Sequence, residues 1–253
     1  MIEGTISKDI PQNLSADNPA SQNTASPLWL VIIASLLMIQ IPSLLILLSN
    51  YLLSQNPLAL SALGHLSHII IYIVSPVLII WMIKQQMRCN LSTALSTLGL
   101  IQKPTLNVIL ISIAIGILTT FSAIALTVFV ETSIEANTMQ LLKTHASLIG
   151  MLSLCFIVMF ATPVIEEIVF RGWFYEIASK GRLGSWGAAL LIATLFTLLH
   201  LNPNIQAISL LSIFSVGMIC AWLRYRYESL WPAIAMHVSF NASQLMSVLL
   251  ATS

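Results

Sequence analysis

Seven stretches of about 20 apolar residues recur along this chain, each long enough for a helix rising ~1.5 Å per residue to cross ~30 Å of hydrocarbon. They run from Leu28 to Ser54, Ala59 to Ile83, Leu106 to Val130, Ser147 to Arg171 or beyond, Ser185 to Leu201, Ile205 to Leu223 and Leu230 to Ala251. With 57% of residues hydrophobic and 8% charged, the chain lacks the polar surface that a water-exposed fold of this size needs. Backbone groups in lipid must be satisfied within their own segment, and no stretch alternates like a barrel strand. The expected fold class is therefore all-α, a polytopic transmembrane bundle of seven or eight helices.

The organisation is simple. Residues 1–27 mix Ser, Asn, Pro and Gln with Glu3, Lys8, Asp9 and Asp17, which predicts a disordered polar tail ahead of a transmembrane domain at 28–253. Cys89 to Lys103 is less apolar and predicts a short helix lying in the interface. A net charge of +1 without any basic block excludes nucleic acid as a partner. Cys89, Cys155 and Cys220 have no short spacing and read as packing thiols. Nine of the ten Lys and Arg, Lys143 excepted, fall in the tail or in loops on one side when Arg171 is counted as a loop residue. That asymmetry predicts a cytoplasmic N-terminus, an external C-terminus and a multi-pass protein of the cell membrane.

Against this oily background a few polar residues stand out. Glu166, Glu167 and Arg171 lie within the fourth segment. Each ionisable group costs ~2.5–3.5 kcal/mol at a helix centre, so the trio costs up to ~7–10 kcal/mol unless its charges are met. Glu167 and Arg171 are spaced i,i+4 and can pair on one face, whereas Glu166 is turned about 100° away and must face something else. Pro163 removes a backbone donor and frees the carbonyl of Met159, which predicts a kink or wet pocket there. His200 ends the fifth segment with Phe196 one turn behind it, and His237 and Asn241 share a face of the seventh. His65, His68 and His145 sit near a segment start or in a loop, where solvation suffices. Groups of this kind on three separate apolar helices point to one shared buried site.

Their chemistry is hydrolytic. A carboxylate beside an imidazole can take a proton from water, and His with Asn can donate hydrogen bonds to a developing oxyanion. A second version places zinc between His200, His237 and a Glu, with an open position for water. No H-E-x-x-H helix signals zinc directly.

The run Ala161-Thr162-Pro163-Val164-Ile165-Glu166-Glu167-Ile168-Val169-Phe170-Arg171-Gly172 resembles the E-E-x-x-x-R signature of the CPBP family, the CAAX prenyl proteases and bacteriocin-processing (Abi) enzymes. Phe196 to His200 is similar to its F-x-x-x-H, and His237 to Asn241 to its H-x-x-x-N. Gly217 to His237, with Ser229-Leu230-Trp231-Pro232-Ala233, resembles the approach to the last motif, so the peptidase-like core spans about 147–251. The resemblance implies an intramembrane endopeptidase acting on a peptide or membrane-protein substrate. Glu166 with His200 would activate water, His237 with Asn241 would hold the oxyanion, and Glu167 with Arg171 would support them. It implies either a metal-free, glutamate-dependent reaction or one that uses zinc, and the metal-free form is the reading favoured here. It fixes neither prenylated substrates nor an oligomeric state.

Two readings from other classes compete, a catalytically silent scaffold or immunity-type protein and a proton-coupled transporter. The latter should show internal repeats, and none is visible in the sequence. The shared site also carries a geometric demand. If the fourth helix stopped at Arg171, Glu166 would lie near the inner face and His200 near the outer end of its helix. The helix is therefore expected to continue through Trp173 to about Ser179, which lifts Glu166 ~20 Å from the inner end.

Overall fold

A computed structural model of the chain describes residues 27–53, 57–129, 148–201 and 205–250. The predicted tail up to residue 26 and the loop with Lys143 and His145 lie outside the described residues. All elements are helical: α1 (Leu28–Ile39), α2 (Ile41–Leu53), α3 (Pro57–Met87), α4 (Leu91–Thr97), α5 (Leu106–Phe129), α6 (Leu148–Ser179), α7 (Gly184–Leu199), α8 (Ala207–Tyr227) and α9 (Trp231–Leu250). Six helical spans are long and apolar enough to cross a membrane, with α1 and α2 together forming the first; α7, at 16 residues, is shorter. The outer faces carry large apolar side chains such as Leu47, Phe121 and Leu148, as lipid contact requires.

The expected interfacial helix is α4. Asn90 caps it by accepting from the Thr93 N–H at 2.8 Å. Gly99, at φ +75°, then lets the chain pass against the Arg224 guanidinium and the Leu230 backbone, where any Cβ would crowd both. Leu230 N–H donates to the Gly99 carbonyl at 2.8 Å, and the Trp231 indole N–H to that of Leu100 at 3.0 Å. The turn between α8 and α9 is thereby fastened to the segment after α4.

The most extensive helix contact is α5 on α9. Ser112, Gly116 and Thr120 line one face of α5 at i,i+4, the small-residue spacing that lets membrane helices approach closely. A Cβ at Gly116 would overlap the Met236 carbonyl and the Ser239 hydroxyl. Thr120 Oγ1 donates to the Phe240 carbonyl at 3.2 Å, and Ser239 Oγ to that of Ile113 at 3.1 Å. α5 therefore sets the position of α9, the helix that carries His237 and Asn241.

The centre of the bundle is α6, which runs unbroken to Ser179, so the expected extension is present. Ile168 to Phe174 are all buried, including Arg171, Trp173 and Phe174. Arg171 is thus an interior residue and leaves the loop-charge count. α6 also contains two π-helical turns, at Ile157–Ala161 and Ile168–Phe174. The first explains how the helix accommodates Pro163. Thr162 N–H donates to the Ile157 carbonyl five residues back. In that register the donor that Pro163 lacks would have served Val158 rather than Met159. The proline therefore orphans a carbonyl one position earlier than α-helical spacing predicts.

Candidate active site

A cavity of about 190 Å³ lies against the middle of α6. Glu166 and His200 line it together, with the Phe196 ring between α6 and α7. Their meeting follows from lengths. Glu166 stands thirteen residues before Ser179, or ~20 Å along the axis, and the 16 residues of antiparallel α7 climb ~24 Å from Gly184 to reach His200. α7 stops there, part-way through the bundle. Irregular backbone at that depth is tolerated where it borders a polar cavity.

Both imidazoles are oriented by acceptors. His200 Nδ1 lies 2.7 Å from the Phe196 carbonyl, and His237 Nδ1 lies 2.8 Å from Glu167 Oε1. A carbonyl or carboxylate oxygen only accepts, so each Nδ1 carries a proton. The neutral rings then have their lone pairs on Nε2. His237 Nε2 is 3.7 Å from Glu166 Oε2, so α9 delivers an imidazole to the carboxylate that α6 turns toward the cavity. Phe196 packs on all of this. Its ring centroid is 4.7 Å from that of His200 and 5.7 Å from that of His237, and the Arg171 guanidinium carbon sits 4.8 Å from it.

Behind the cavity Glu167 and Arg171 pair as their spacing predicts. Arg171 Nη1 donates to Glu167 Oε1 at 2.8 Å, and both side chains are fully buried. Arg171 Nη2 also donates to the Gly217 carbonyl at 3.0 Å. Gly217 is needed for that approach, since its Cβ would crowd Ala193 on α7 and the guanidinium itself. Glu167 Oε2 and Arg171 Nε have no hydrogen-bond partner among the described residues.

Asn241 occupies a different place from the other five residues. Its Nδ2 donates at 3.0 Å to the Val158 carbonyl, the group that the first π-turn and Pro163 leave without a donor. One N–H of the carboxamide thus steadies α6 about two turns before Glu166, and the second remains for other use.

Two donor sets invite a test for metal. Glu167, Cys220 and His237 bring ligand atoms within 4.8 Å of one another. That set does not fit a dication, because the Arg171 cation already holds Glu167 Oε1. Glu166, His200 and His237, the set the sequence suggested, do not bring their ligand atoms together in this way among the described residues, so neither set fits a zinc ion as it stands.

Sequence reasoning passed over part of the cavity wall: Gln40 and Ser43 at the break between α1 and α2, Tyr72 on α3, and Thr162 on α6. The signal was available, since Gln40 and Tyr72 are polar groups well inside apolar spans.

Residues 148–243 match the family model described as type II CAAX prenyl endopeptidase Rce1-like. No curated protein and no solved structure matches the chain. The match covers α6 to α9 as far as Ser243, the helices that carry the three sequence motifs. Over residues 148–243 this multi-pass membrane protein is therefore similar to the CAAX-type intramembrane proteases.

Proposed function

We propose that the chain is an intramembrane endopeptidase in which Glu166 and His200 activate water and His237 stabilises the oxyanion. The observation that carries this reading is the convergence of Glu166 and His200 on one cavity, with His237 Nε2 3.7 Å from the Glu166 carboxylate. Glu166 accepts a proton from water as the oxygen attacks the scissile carbonyl carbon. His200, fixed by the Phe196 carbonyl, presents Nε2 to the same water. The tetrahedral oxygen needs a donor, which His237 provides once Glu166 passes the proton taken from water to the His237 Nε2 that lies 3.7 Å from its carboxylate. With that imidazolium the buried group holds two anions, Glu166 and Glu167, and two cations, Arg171 and His237, and is neutral overall. The free N–H of Asn241 is a second donor on the same face of α9. Collapse of the intermediate returns a proton to the departing amine.

We place the N-terminus in the cytoplasm, because that orientation puts the loops and helix ends with Lys84, Arg88, Lys103, Lys180, Arg182, Arg224 and Arg226 on the inner side. A plasma-membrane location and a peptide or membrane-protein substrate complete the reading.

The test is cleavage of a fluorescence-quenched peptide library by the purified protein in lipid nanodiscs. Glu166→Gln should lower kcat by roughly 10²–10⁴, the usual contribution of a general base, and His200→Ala should act comparably. Undiminished cleavage in both variants would overturn the assignment.

A further inference from the structure

Gln40, Ser43 and Tyr72 face Glu166 and His200 across the cavity, yet all three lie outside the family-matched residues 148–243. Gln40 is eleven residues into the span that begins at Trp29, ~16 Å along the axis and hence near mid-membrane. It interrupts the helix there, and Pro42 follows two residues later. Ser35, Ser75, Ser112 and Ser153 each spend their hydroxyl on the carbonyl one turn back. Gln40 and Ser43 make no such bond, and neither side chain has a hydrogen-bond partner among the described residues. Both are exposed while lining the cavity, so they stand at its mouth. Tyr72, half-buried, sits deeper, in contact with Thr162 and within electrostatic range of Glu166. Apart from Glu166 and His200, the described lining is uncharged.

Open polar groups at this depth are costly unless a ligand uses them. A carboxamide and two hydroxyls offer both donors and acceptors without charge, which is what peptide N–H and C=O groups require. A peptide unwound for cleavage in hydrocarbon must have those groups satisfied by protein. We infer that Gln40, Ser43 and Tyr72 form a main-chain-binding wall that holds an extended, uncharged segment of substrate across from Glu166 and His200. The inference rests on the peptidase reading and adds to it the substrate class and the contribution of the N-terminal helices.

The experiment uses the full chain in nanodiscs and a fluorescein-labelled pool of neutral decapeptides. Binding is measured on Glu166→Gln, which suppresses turnover, with and without Gln40→Leu, Ser43→Ala or Tyr72→Phe. Each wall substitution should weaken binding about fivefold, the worth of one hydrogen bond. In the wild-type background it should raise KM by a similar factor and leave kcat within about twofold. Backbone-ester peptides, which lack one N–H, separate contact from mere structure. An ester at the contacted position should cost about fivefold against the intact wall and nothing further once its partner is substituted. Unchanged affinity in all three variants, strictly additive ester losses, or no peptide binding at all would overturn the wall. Wall-dependent binding without cleavage by the wild-type protein would instead overturn the peptidase reading and leave the wall standing. Ser43→Ala removes only an exposed hydroxyl, so it keeps the test valid if a larger change impairs folding.

Discussion

Replacing both Glu167 and Arg171 by apolar residues should leave the protein as stable as the wild type, or more so, while removing its activity. The guanidinium and carboxylate meet at 2.8 Å, which at an effective dielectric of 20 corresponds to about 6 kcal/mol of attraction. Both side chains are completely buried, and the penalty for taking them out of water is several kcal/mol each. One oxygen and one nitrogen of the pair also lack hydrogen bonds. Gain and cost therefore nearly cancel. Removing a single partner is different, because the other is left as an unmatched buried charge. Glu167→Met alone and Arg171→Met alone should each cost ~3–5 kcal/mol, and Glu167→Met with Arg171→Leu should lie within ~1 kcal/mol of wild type or above it. The assay is reversible unfolding in mixed micelles, followed by fluorescence of the buried Trp173, as a double-mutant cycle. Activity should be lost in the double variant, since His237 Nδ1 no longer has the oxygen that holds its ring. Small, additive single effects would refute the view of the pair as a coupled unit. Full peptidase activity in the double variant would refute its role in positioning His237.

Two further predictions concern helix contacts. Gly116→Ala drives a methyl group into the Met236 carbonyl of α9, so it should cost ~1–3 kcal/mol of stability and lower the melting temperature; Gly116→Ser should do no better. An unshifted melting temperature, read by differential scanning fluorimetry, would contradict the close approach of α5 and α9. Asn241→Leu strands the Val158 carbonyl beside the π-turn and should cost ~1–3 kcal/mol, whereas Asn241→Leu combined with Pro163→Ala, which restores a backbone donor, should regain most of that loss. Equal losses with and without the proline change would show that Asn241 does not serve this carbonyl.

Much of the architecture was legible without coordinates because the bilayer imposes a length rule on any crossing helix. The apolar runs and the pairing of Glu167 with Arg171 follow from spacing along one helix, and the continuation of α6 to Ser179 from the demand that Glu166 and His200 meet. Spacing could not give the π-turns. The first of them moves the orphaned carbonyl from Met159 to Val158, where Asn241 of another helix meets it. Nor could it show that Arg171 reaches the backbone of Gly217, or that Gln40 and Tyr72 turn toward the cavity rather than toward lipid. The amino-acid order decided which segments enter the membrane and which few polar groups enter with them, because transfer free energy is a property of the residues themselves. The tertiary structure alone decided which of those groups touch, because contacts between separate helices depend on approach, rotation and depth. Close approach in turn is set by small residues such as Gly116 and Gly217 that carry no chemistry of their own.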